Sequence, residues 1–184
     1  MGSRWGSEGP PPEAYSRVTN PERFAPLHDL AAELLDRLEA EFRVTREEGV
    51  GLDPQIESER PPRPTVRLVP DDPDAGVLTV AFTSFPGLRM RMGRWLSGST
   101  PYCGCDACDE TLDEARADLE QLIGDLTAGR VREAIDVPGS GDGRLVSRIG
   151  ASRGWGALER ADAVAMVEAA SGRTEFTYGP WPPR

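Results

Sequence analysis

Apolar residues recur at helical spacing in two long stretches of this chain and at alternate positions in several short ones. Leu27, Leu30, Ala31, Leu34, Leu35, Leu38 and Phe42 form one stripe, while Asp29, Glu33, Asp36, Arg37 and Glu39 mostly occupy the other faces. That period predicts an amphipathic helix over residues 25–42 with one face against a core. Asn20-Pro21-Glu22 supplies its start signal: a capping residue, a proline at the first position and an acid in the first turn. Pro26 falls in the first turn, where its missing N–H has no partner to lose. A second stripe, Leu112, Ala115, Leu119, Leu122, Ile123 and Leu126, predicts a helix over residues 111–128. Thr111 with Glu114 three positions on fits a capping box, and Gly129 is a natural stop.

The alternating stretches predict strands. Residues 42–46 form a short one, closed by Gly49 and Gly51. Residues 52–64 carry Pro54, Pro61, Pro62 and Pro64 and are expected to form a loop. Residues 65–69 and 77–82 flank a turn rich in Pro and Asp, the composition of a hairpin. Leu88-Arg89-Met90-Arg91-Met92 alternates strictly, which places both arginines on the face opposite the apolar residues. These three strands read as an antiparallel meander. A further hairpin is expected from 131–137 and 144–149, joined by a turn containing Gly139, Gly141 and Gly143. A short helix near 158–170 and a last strand at 174–178 complete the pattern, followed by an irregular tail. The fold class implied is α+β: an antiparallel sheet, meander plus hairpin, covered on one face by the two amphipathic helices.

Composition sharpens this reading at the ends and narrows the chemistry. The first 18 residues are polar and rich in Pro and Gly, with Pro10-Pro11-Pro12 extended, so residues 1–18 are expected to be disordered and 19–184 to form one domain. No apolar run reaches the roughly 18 residues that a membrane span requires, and the N-terminus lacks a signal-like apolar stretch. A cytoplasmic location with reduced thiols is the expectation. A net charge of −10 argues against nucleic acid and anionic membranes as partners, and suits either simple solubility or a basic protein partner. All 21 basic residues are arginine, which removes lysine acid–base and Schiff-base chemistry. His28 is the only histidine, so any hydrolytic triad would have to be built around it.

All three cysteines, Cys103, Cys105 and Cys108, fall within six positions just ahead of the second helix. The spacing C-x-C-x-x-C is compact enough to wrap one ion, and zinc takes four ligands from thiolate, imidazole and carboxylate. A helix N-terminus beside the sulfurs would favour thiolate over thiol. The fourth ligand is expected from His28, with Asp106, Asp109 or a partner's residue as alternatives. Two other readings stand beside a structural zinc site: reduced thiols that only pack, and a redox sensor or enzyme using Cys105 or Cys108 as thiolate. A thioredoxin-like site uses the same C-x-x-C spacing but follows a strand of a βαβ unit, whereas the preceding strand here belongs to a meander.

Other features read more simply. The acids from Asp106 to Glu120 suit a solvated helix face, or an acidic docking surface. Arg89, Arg91 and Arg94 could grip an anion bidentately, but pairing with the many carboxylates is the simpler expectation. Trp155 and Trp181 are expected to pack in the core. The glycines at 139, 141 and 143 lack the strand–loop–helix context of a phosphate loop.

The segment PYCGCDACDE at 101–110, with YSRVTNPERF at 15–24, resembles a family of uncharacterised single-domain proteins of GC-rich, actinobacterial-type bacteria. The resemblance covers residues 14–178 and implies no activity, cofactor or partner. The residues themselves point to a non-enzymatic protein with a zinc knuckle and an acidic interaction surface. The alternatives are a thiol-based sensor or enzyme, and an acidic immunity-type inhibitor of a basic protein.

Overall fold

A computed structural model describes residues 4–57 and 63–184. The expectations for residues 1–3 and for the part of the loop at 58–62 fall outside the described residues. The chain forms three α-helices, α1 (Pro26–Glu41), α2 (Leu112–Thr127) and α3 (Arg160–Ala169), and two antiparallel sheets. The first sheet holds β1 (Val44–Gly49), β2 (Thr65–Pro70), β3 (Leu78–Phe82), β4 (Leu88–Met92) and β5 (Leu96–Thr100) in sequential order. The second holds β6 (Val131–Asp136), β7 (Gly143–Ile149), β8 (Ser152–Leu158) and β9 (Glu175–Thr177) in the order β8-β7-β6-β9.

The α+β class is as the patterning predicts, with the sheet divided in two. Register explains why α1 and α2 share one face of the first sheet. Val66 pairs with Val80, Leu68 with Leu78, Val80 with Met90 and Leu78 with Met92, so these side chains stand on one side. They form a single buried cluster with Leu34, Leu35 and Leu38 of α1 and Leu119, Ile123 and Leu126 of α2. The second sheet has its own smaller core, in which Ile135 packs with Ala163 and Ala170 beside Leu145 and Phe176.

Two strands escaped the patterning for different reasons. In β5, Leu96-Ser-Gly-Ser-Thr100 carries a single large apolar residue, because this edge strand buries only one part of its length. In β8, all residues but Leu158 are exposed, so no hydrophobic alternation exists to be read. Trp155, expected in the core, stands on that strand 72% exposed, with the Arg144 guanidinium 5.5 Å from its ring centre. Trp181 is buried as expected, its indole N–H donating to the Gly76 carbonyl at 2.9 Å and its ring edge-on to Phe42. The tail around it is fixed rather than free: Arg184 N–H donates to Glu41 O, and Pro183 bridges to Phe42.

The two sheets are locked together by a buried carboxylate. Glu133 of β6 is 1% exposed and reaches the turn between β4 and β5. Its oxygens accept the Arg94 N–H at 2.9 Å and the Trp95 N–H at 2.5 Å. Gly93 makes the approach feasible: its φ of +80° suits glycine, and a Cβ there would overlap the Glu133 carboxylate and the Tyr178 ring. Burial holds the Glu133 carboxyl above its usual range, against the lowering effect of the amides it accepts.

Candidate metal centre

Between β5 and α2 the chain makes a tight loop that gathers the three cysteines. Gly104 sits at φ +75°, and a Cβ there would lie 2.7 Å from the Phe85 ring, so the loop closes only with glycine. Thr100–Pro101 is a cis peptide at the loop entrance. At the exit, Thr111 caps α2: its hydroxyl accepts the Glu114 N–H at 3.2 Å, and the Glu114 carboxylate accepts the Thr111 N–H at 2.9 Å. This is the capping box that the sequence predicts.

The structure brings Cys103, Cys105 and Cys108 together. Their sulfurs all lie within 4.8 Å of one another, with 3.1 Å between Cys103 and Cys105. None is in a disulfide; Cys105 is buried, and Cys103 and Cys108 are exposed. These three residues could hold a metal ion. Burial opposes ionisation of Cys105, but hydrogen bonds from the Cys103 thiol and from the amides of Cys108 and Ala107 outweigh it and hold its pKa below the usual thiol value. The Cys108 thiol is pushed up to about 12, first by its hydrogen bond to Cys105 and then by that to Cys103. The hydrogen bonds among the sulfurs thus favour ionisation at Cys105 over Cys108. The amides concerned belong to the loop itself, whereas the sequence suggests the first turn of α2, whose Glu114 N–H is taken by Thr111.

His28 is not brought into the group. Its Nε2 lies 3.0 Å from the Gly87 carbonyl oxygen and its ring meets the Phe82 ring edge-on. The helix that carries it packs on the sheet as predicted, but its side chain serves the β3–β4 turn instead. The carboxylate alternatives are also committed: Asp109 is 3.7 Å from Arg4 in an ion pair, and the Asp106 carboxylate accepts from Thr19 and Arg17. Nearby Glu110 accepts the amides of Tyr102 and Cys103.

Asp106 ties the loop to the described part of the N-terminal segment, residues 4–19. Residues 12–16 form a 3-10 turn whose Ala14 is fully buried against Cys105 and Ala107, with Trp5 beside them. Two backbone bonds stitch the segments together, Asp106 N–H to Arg17 O at 2.9 Å and Ala107 N–H to Ala14 O at 3.1 Å. The Asp106 carboxylate accepts from the Thr19 hydroxyl and the Thr19 N–H, each at 2.7 Å, and from Arg17 Nε at 2.8 Å. Trp5 Nε1 donates to the Asp106 carbonyl at 3.2 Å. The acceptor that holds this segment is buried and lies 87 residues away in sequence from Thr19. No local pattern in residues 1–18 announces that.

The Thr19 and Arg17 donors hold the Asp106 carboxyl well below the usual carboxylate range. A depressed folded-state pKa gives stability that is fully present above the unfolded value of about 3.9 and is lost only as pH falls through the folded value. The strap should thus stay closed at pH 5. Replacing Asp106 with Ala leaves the Thr19 amide and hydroxyl without their acceptor, and proteolysis within residues 4–18 should accelerate by about tenfold or more. Unchanged cleavage in limited proteolysis read by mass spectrometry would show that the strap does not depend on this carboxylate.

Among the described residues, no helix is long and apolar enough to cross a membrane. No curated protein and no solved structure matches the chain. A family of unknown function does: its profile runs over residues 1–184, the full length that carries both the cysteine loop and the strap, and the chain belongs to this family, DUF6226.

Proposed function

We propose that the cysteine loop is a structural zinc site that braces the N-terminal strap against the first turn of α2, in a protein without catalytic activity. The proximity of the three sulfurs carries this reading. A tetrahedral zinc ion with Zn–S bonds of about 2.3 Å places its sulfurs roughly 3.8 Å apart. The observed separations, 3.1 Å for Cys103–Cys105 and none above 4.8 Å, bracket that value. Zinc would replace the shared protons among the sulfurs with one ion. The fourth ligand is water, reached through the exposed Cys103 and Cys108. An open position can serve catalysis, but the neighbouring carboxylates are engaged by amides and by Arg4, and His28 faces Gly87. A brace is the reading these partners support.

The outward face of α2 complements it. Asp113, Asp118 and Glu120 are exposed there, with Arg116 paired to Glu120 at 3.1 Å. In a chain of net charge −10 this face is suited to a basic protein partner.

Thiol reactivity separates the brace from a thiolate sensor. With metal bound, all three cysteines should react slowly with iodoacetamide, and a chelator should accelerate the exposed Cys103 by about tenfold or more. Rapid alkylation of one cysteine in untreated protein, indifferent to chelator, would favour the sensor.

A further inference from the structure

A cleft of about 520 Å³ opens between the first sheet's other face and the second sheet, on the side of the molecule away from α1 and α2. Its walls include four arginines, Arg67, Arg91, Arg94 and Arg173, against two carboxylates, Asp53 and Asp74. That balance is opposite to the chain's overall charge of −10. Not all four guanidinium groups are free to act. Arg91 is spent on Asp53, with Nε 2.6 Å from its carboxylate, so the pairing that the sequence favours holds for this arginine. Arg67 reaches Glu47 and the Leu52 carbonyl.

Arg94 and Arg173 are different. Both guanidinium carbons lie over the Phe176 ring, at 5.5 and 4.2 Å from its centre. Arg94 donates to the Ala169 carbonyl, and among the described residues neither it nor Arg173 pairs with a carboxylate. The ring holds two cations close together without neutralising either. Glu133, the nearest buried acid on β6, is turned to the amides of Arg94 and Trp95 and is 1% exposed. Val69, Ala75 and Val77 give the same cleft an apolar wall.

We propose that this cleft binds a small organic phosphate, with the phosphate between Arg94 and Arg173 and the organic part along the apolar wall. Two unneutralised guanidinium groups suit a dianion that each can contact bidentately. A volume near 520 Å³ exceeds what phosphate alone fills and lies in the range of small-molecule sites. This site is independent of the cysteine loop and stands or falls apart from it.

Isothermal titration of the full chain with ribose 5-phosphate, inorganic phosphate and malonate tests the assignment. The expected result is a dissociation constant of about 0.1 mM or tighter for ribose 5-phosphate, with inorganic phosphate at least about tenfold weaker. Arg173→Ala removes an exposed side chain, so the fold should persist, and affinity should fall by about tenfold or more; Arg94→Ala should act in the same direction. No binding up to about 5 mM, affinity unchanged in both variants, or malonate binding as tightly as ribose 5-phosphate would overturn the proposal.

Discussion

Replacing Glu133 with Ala should lower the stability of the fold by about 3–5 kcal/mol, among the largest single-residue effects in this chain. The Arg94 and Trp95 amides would lose a charged acceptor, and each buried N–H left without one costs about 1–3 kcal/mol. Lost contact with Tyr178, which shares the same pocket under Gly93, adds to this. The loss would also loosen the two sheets from each other, because the carboxylate of β6 holds the turn between β4 and β5. Its pH dependence has a definite sign. Burial raises the folded-state pKa of Glu133 above the unfolded value of about 4.3, so the native state binds the proton more tightly. The stability gained is complete below pH 4.3 and is lost as pH rises through the folded value. The deficit of Glu133→Ala relative to the parent should therefore be larger at pH 4 than at pH 8. Urea denaturation at both values measures it; a deficit under about 1 kcal/mol, or one that grows with pH, contradicts this role.

The second large effect belongs to the cysteine loop. Cys105→Ser removes the buried sulfur around which the other two gather. A ligand that binds only the folded state adds about 4 kcal/mol when present at a thousand times its dissociation constant. For a chain of this size that corresponds to a fall of roughly 10 °C in melting temperature when zinc is lost. A chelator should reproduce the fall in the parent protein and leave Cys105→Ser unaffected. The strap should respond as well, since Ala14 packs on Cys105 and Ala107. Proteolysis before residue 18 should follow the loss of metal. Equal melting temperatures with and without chelator would remove the link between metal and strap.

Sequence patterning carried the helical parts far. The stripes ending at Phe42 and Leu126 place α1 and α2 within a residue or two, because each buries one face on the same sheet. The Thr111–Glu114 box was legible for the same reason: its partners are three residues apart. The strands β5 and β8 were not: the inward positions of β5 include Gly98 and Thr100 rather than large apolar residues, and β8 is exposed on both sides and shows no alternation. The way the two sheets are joined was equally hidden, because it rests on Glu133 meeting amides 38 and 39 residues away. At the site, spacing alone brought out Cys103, Cys105 and Cys108. It could not reveal that His28 turns to Gly87, or that Asp106 serves the N-terminal segment, because both depend on long-range partners. Arg173 and Phe176 carried no motif at all; their pairing with Arg94 arises only when β9 docks beside β6.

Metal content of the untagged protein, purified without chelator and quantified by mass spectrometry against protein concentration, tests the zinc brace most directly. The account predicts about one zinc per chain, falling to background in Cys105→Ser and remaining in His28→Ala. Less than about 0.2 zinc per chain, unchanged by Cys105→Ser, would contradict it.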